Sequence, residues 1–293
     1  MIKKERLGWA SFTVQSTVIT ALMVSVLVTF FAYLSVPETF GPIAEAFEAW
    51  SLRLGNMRSI PLIILAMPLV SGLIRILLNQ RSLTLKDEIL LISDFIIVLL
   101  VLSLYPALLE GPIRVVFAGG FGLGISFQIT FFSYIFVLLS VIVWFFVMMY
   151  AHEYMKKENH NRRFFVFLSL SYTATLGIFL AGDLLTLFFA YEMLTIMTYL
   201  LVAHSQTEES IDAANEYLFM GILGGFAIFV ALVLMYPLTG SFMFSETYDL
   251  FALGGGRIIL ILILLMIGFG VKAGMFPLHV WLPKAHPVAP SPA

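Results

Sequence analysis

Long apolar runs separated by short polar clusters set the plan of this chain. They cover about 9–35, 59–79, 88–109, 125–150, 163–182, 184–203, 216–237 and 257–276, and each is bounded by charges, glycine or proline. A helix needs about 20 apolar residues to cross the hydrocarbon of a bilayer. The pattern therefore predicts an all-α integral membrane protein with about eight transmembrane helices. The 39–58 stretch, TFGPIAEAFEAWSLRLGNMR, has mixed polarity, with Ile43, Phe47, Trp50 and Leu54 at helical spacing. That spacing predicts a helix lying along the interface. The first run is longer than a signal-peptide core and lacks a convincing small-residue cleavage site, so it reads as a retained helix.

Composition agrees with this pattern. Hydrophobic residues make up 60% of the 293 and charged residues 12%, against about 45–50% and about 25% in soluble domains. The net charge of −2 gives no reason to expect nucleic acid. The chain has no cysteine, which excludes disulfides, thiolate-held iron–sulfur clusters and cysteine nucleophiles here. No metal-ligand spacing is visible around His152, His160 or His204. The glycines of FAGGFGLGISF and MGILGGF match no phosphate loop and read as helix packing.

Lysine and arginine set the orientation. With a cytoplasmic N-terminus, the inside holds Lys3, Lys4, Arg6, Arg75, Arg81, Lys86, Lys156, Lys157, Arg162, Arg163 and Lys284, and the outside holds Arg53, Arg58, Arg114 and Arg257. This bias predicts both termini inside, in a multi-pass protein of the cell (inner) membrane. Trp9, Trp144 and Trp281 fit interfacial anchors.

Ionisable residues within apolar runs point to function, because a charge facing lipid costs a few kcal/mol or more. Glu192 lies nine residues after Asp183 and twelve before His204. At about 1.5 Å per residue this places it near the bilayer midplane. Its bland reading is a protonated acid bonded to a neighbouring helix. Lys272 lies fifteen residues after Arg257, and depth alone leaves it open between a snorkelling lysine and a functional one. Gly268, Gly270 and Gly274 around it, and the helix break expected at Phe276-Pro277, favour function. Opposite charges at similar depth predict that Glu192 and Lys272 approach within salt-bridge reach, as a switch for proton transfer. His279 reads equally as a proton relay or an interfacial histidine. Asp183 reads as a cap or a funnel charge at an outer turn.

Two stretches carry a family resemblance. GDLLTLFFAYEMLTIMTYLLVAHS and GFGVKAGMFPLHVWLPKAHPVAPSP resemble the antiporter-like subunits shared by respiratory complex I, Mrp-type sodium/proton antiporters and membrane-bound [NiFe] hydrogenase-like complexes. The likeness covers roughly 59–293 and looks closest to the Mrp and hydrogenase-like branch. It implies the N-terminal part of an inverted-repeat fold with a broken last helix. Three parts follow: an extra N-terminal helix with its interfacial segment over 1–58, early transmembrane helices over 59–150, and an incomplete first repeat over 151–293. It also implies that Glu192 and Lys272 form the proton-handling pair of a half-channel. A departure occurs at Glu216, which lies in the helix where family members often carry lysine, so this relay position is inverted in charge.

By the same resemblance the chain is expected to stop before the next helix of the repeat. Other membrane subunits are expected as partners, one of them supplying the second half. The ions moved would be protons, with sodium as the alternative. Iron–sulfur or other redox centres are expected in partner subunits, with no cofactor in this chain and no catalysis by it alone. A structural, non-pumping half-antiporter that anchors or seals such a complex is the competing expectation.

Overall fold

The structure, a computed structural model, describes residues 2–36, 40–57, 59–77, 83–117, 124–156, 158, 160–247, 250 and 255–293, with backbone only at 2–16, 42–43, 75–77, 83–90 and 246. Arg58, Arg81, Lys157 and the glycines at 119–120 and 122 lie outside the described residues, as do the side chains of Trp9, Ile43, Arg75 and Lys86. The chain forms two compact units.

The first unit takes 1–113 and 130–159. It contains α1 (Ile2–Ser35), α2 (Gly41–Gly55), α3 (Ile60–Leu77), α4 (Leu83–Ser103), α5 (Tyr105–Glu110) and α6 (Phe131–Met155). The helix expected within 39–58 is α2, which meets α3 at an angle of 87°. Gly55 lies against Ala107 so closely that a β-carbon there would come within 3.8 Å of the Ala107 backbone. The Ser51 hydroxyl accepts from Ala107 N at 3.1 Å. Tyr33 of α1 donates to Glu48 at 2.9 Å and stacks edge-on against Phe47 at 5.4 Å. Helix α6 packs chiefly on α4.

The second unit takes 114–129 and 160–293. It holds the strand pair β1 (Ile113–Phe117) and β2 (Ile125–Ile129), followed by α7 (Asn161–Leu180), α8 (Leu184–Val202), α9 (Glu208–Thr239), α10 (Phe244–Thr247), α11 (Gly256–Lys272) and α12 (Leu282–Val288). The hairpin corrects the expectation of one helix over 125–150. ISFQI alternates and is rich in β-branched and aromatic residues, which suits a strand. The helix starts at Phe131, where Thr130 and Ser133 form a reciprocal capping box.

Helix α9 packs on α8 and most extensively on α11. Tyr191, Ile228, Ala231, Leu232, Met235, Ile258 and Ile261 form the shared apolar core. Outward residues are apolar too; Phe226 is 65% exposed. Such an exterior suits lipid, which is as apolar as a protein core.

Among the described residues, six helices are long and apolar enough to cross a membrane, or seven if the bent α2–α3 pair counts as one span. The eight predicted runs all carry helix, but α11 has only 17 residues. The last helix is broken as expected, but its stop is Gly274 rather than Pro277. Gly274 takes the left-handed conformation at φ +63°. Its N–H reaches Val271 O at 3.3 Å, and Met275 N reaches Gly270 O at 2.9 Å. Those two bonds are the Schellman pattern that ends a helix on a glycine.

Candidate ion-handling site

Helix α8 starts where β2 and the 241–243 segment hold the preceding turn. Gly182 N donates to Ser126 O at 2.7 Å, and Leu184 N donates to Phe242 O at 3.0 Å. The Asp183 carboxylate accepts from Thr186 N at 2.7 Å and from the Thr186 hydroxyl at 3.0 Å. Thr186 Oγ1 in turn accepts from Ser126 N at 2.9 Å. Asp183 is only 4% exposed and serves as the N-cap of α8. Of the two roles expected for it, the geometry is that of the cap.

Eight residues into α8, about 12 Å along its axis, stands the half-buried Glu192. Its carboxyl lies against Gly225 of α9, where an added β-carbon would stand 2.6 Å from Cδ. Its Oε1 is enclosed with no hydrogen-bond partner among the described residues. From α11 the Lys272 ammonium reaches the backbone carbonyl of Tyr191, the preceding residue, at 2.5 Å. It also lies 3.9 Å from the centroid of the Tyr191 ring, a cation–π contact. The Tyr191 hydroxyl donates to Gly268 O at 2.7 Å, which ties α8 back to α11.

The expected salt bridge is not made: among the described residues no ion pair joins Glu192 to Lys272. The ammonium sits one residue away on the same turn of α8. Two causes are visible. Lys272 occupies the last turn of α11, where free carbonyls and the helix dipole favour a cation. The Tyr191 carbonyl and ring then offer it both an acceptor and a π-face.

Glycines bring the three helices this close. A β-carbon on Gly224 would meet Gly268 O and Val271 Cβ, each at 3.1 Å. MGILGGF is indeed a packing motif, and it also makes room for the Glu192 carboxyl. Trp281, expected at the interface, is buried instead. Its indole donates to Val271 O at 2.8 Å and packs edge-on against Tyr217 at 5.0 Å. It thereby adds a second bond to a carbonyl that already accepts from Gly274 N at the end of α11.

The remaining candidates make contacts of their own. The His279 ring faces Phe276 at 5.6 Å, and its Nδ1 is enclosed with no hydrogen-bond partner among the described residues. Glu216 forms an ion pair with Lys284 of α12 at 2.5 Å, with both side chains partly in solvent. No group of residues able to hold a metal ion occurs among the described residues. Tyr191, whose carbonyl, ring and hydroxyl organise the site, carries no charge to mark it in the sequence; its position beside Glu192 is the only signal there.

Comparison with known proteins adds to this geometry. Residues 181–293 match the family model described as the transmembrane part of NADH:quinone oxidoreductase and Mrp antiporters. Residues 116–165 match that described as the N-terminus of chain 5 of NADH-ubiquinone oxidoreductase (complex I). Hydrogenase-4 component B of Escherichia coli is 33% identical over 156 residues, covering 53% of this chain and 23% of that protein. The chloroplast NAD(P)H-quinone oxidoreductase subunit 5 of Aethionema grandiflorum is 27% identical over 243 residues, covering 77% and 33%. Among solved structures, a chain of the membrane-bound sulfane sulfur reductase, an archaeal respiratory membrane complex, superposes with a TM-score of 0.70 at 29% identity. It covers 78% of this chain and 36% of that one. The chain thus spans about a quarter to a third of the length of these curated relatives.

Proposed function

Since the chain belongs to the antiporter-like membrane subunits of complex I, Mrp antiporters and hydrogenase-like complexes, we propose that it moves protons, or sodium against protons, through the site around Glu192 and Lys272. The observation that carries this reading is the Lys272 ammonium resting on the Tyr191 carbonyl while the adjacent Glu192 carboxyl keeps an enclosed oxygen without a partner. An ammonium so placed has two resting points within one helical turn, a carbonyl and a carboxylate. Protonating Glu192 releases the lysine to the carbonyl; deprotonating it draws the lysine back. The alternation couples a proton to the movement of one charge.

The chain would work with other membrane subunits, one of which supplies the second half of the path. Redox centres such as iron–sulfur clusters would lie in partners, and the N-terminus would face the cytoplasm of an inner membrane. His279 would pass protons onward from Lys272. Asp183 would hold the start of α8, and Glu216 would hold α12 through Lys284.

A structural, non-pumping role draws on a different observation. Glu216, inverted in charge for a relay, is already engaged with Lys284 at 2.5 Å. Glu192→Gln in the intact complex separates the two. Proton uptake into sealed vesicles falls to background if the site transports. Undiminished uptake overturns the transport reading and leaves the structural one.

A further inference from the structure

The first unit contains a buried acid that none of the above uses. Asp94 is 1% exposed and lies in the buried stripe of α4 with Leu91, Val98 and Val101. It is eleven residues from Leu83 and nine from Ser103, about 14–16 Å from either end of the helix. Its Oδ2 has no hydrogen-bond partner among the described residues. A buried carboxyl oxygen without a partner is costly unless a proton or water reaches it.

Two more orphaned polar atoms lie along α6, the helix that packs on α4. They are the Ser140 hydroxyl and the Tyr134 hydroxyl, at 7% and 3% residue exposure. Tyr134 is near the capped start of α6, with its ring 6.3 Å from Tyr105. Ser140 is six residues further, about 9 Å. Phe95, next to Asp94, meets Phe145 at 6.4 Å, which puts Asp94 level with a point five residues past Ser140, about 7.5 Å. Measured along the helix axis alone, these positions are spaced by about 7.5–9 Å from one end of α6 to its middle. Gaps of that order are too long for a direct hydrogen bond, whose O···O spacing is about 2.8 Å, and call for water between the groups. Buried water lodges where polar groups are left unsatisfied.

We propose that Asp94 is a proton-binding carboxyl at the inner end of a water file that enters at Tyr134 and passes Ser140 along the α4–α6 seam. A proton arriving through the file forms the O–H bond of the acid, and its departure leaves the carboxylate; no redox partner is involved. No cation pairs with Asp94 among the described residues. The other elements against α4 are α1, α2, α3 and α5. Their ionisable residues with described side chains are Tyr33, Glu45, Glu48, Arg53, Tyr105 and Glu110. On α6 the remaining ones, Tyr150, His152, Glu153 and Tyr154, cluster at the far end. The site is separate from Glu192 and does not depend on the role proposed for it.

Infrared spectroscopy of the chain with its native membrane partners in lipid tests this. A carboxylic-acid C=O band is expected at neutral pH. It should be absent in Asp94→Asn, moved in Asp94→Glu and kept in Glu192→Gln. On transfer to heavy water the band should shift, and Ser140→Leu should slow that shift about tenfold by closing the file to water. If neither Asp94 variant alters a C=O band, the proton-binding carboxyl is overturned. If the band exchanges equally fast in Ser140→Leu, or never exchanges in the wild type, the water file is overturned.

Discussion

Gly225 of α9 lies directly against the carboxyl of Glu192 on α8, leaving no space for a β-carbon between them. A glycine there fixes where the acid points without contributing any charge. Gly225→Ala therefore displaces the carboxyl while leaving every titratable group in place. Ion uptake in vesicles should fall roughly tenfold or more, as displacements of about 1 Å do at working sites. The same change should cost about 1–3 kcal/mol by overpacking, readable as lowered thermal stability. Full transport in a Gly225→Ala protein would mean that the position of Glu192 does not matter.

Lys272→Met and Lys272→Arg should differ from each other as well as from the wild type. Methionine keeps the volume and removes the charge, so transport should vanish. Arginine keeps the charge and the cation–π contact with Tyr191 but cannot give up its proton at accessible pH. Transport should then fall to near the methionine level. Substantial uptake by Lys272→Arg would show that the lysine acts as a fixed charge rather than as a proton carrier.

Asp183→Ala should lower stability by about 1 kcal/mol through loss of the cap on α8. Transport per folded molecule should stay within about twofold of the wild type, since the carboxylate is buried on Thr186. A collapse of transport with unchanged stability would restore the funnel role.

Trp281→Phe removes the bond to Val271 O and keeps most of the aromatic contact with Tyr217. The expected loss is about 0.5–1.5 kcal/mol, the net value of one hydrogen bond, because Val271 O keeps its bond from Gly274 N. Gly274→Ala should cost about 1–2 kcal/mol for a left-handed alanine. Thermal melts of both variants in detergent check these values.

Much of this was legible in the chain because membranes punish charge. Glu192 and Lys272 stand out as isolated charges among apolar residues, and depth along a helix follows from counting. The same rule extends to Asp94, the only charge in ILLISDFIIVLLVL, which is not among the candidates named from the sequence. What pattern could not supply was contact. Lys272 on the Tyr191 carbonyl depends on how closely α11 approaches α8 and α9, which Gly224 and Gly268 allow. The strands at 113–117 and 125–129 were hidden because short apolar runs look alike as strand or helix. The stop at Gly274 was masked by Pro277, the louder breaker three residues later.

The turn before α8 has a mechanical meaning of its own. Ser126 grips it twice, through Gly182 and through Thr186, and Phe242 grips it a third time. Helix α8 is thus tied at that end to a strand, with Glu192 about 14 Å along the helix from Asp183. Because three bonds fix that end of α8, the placement of β2 sets how far along the helix the acid meets Gly225. A strand outside the helix bundle thus sets the register of the acid inside it.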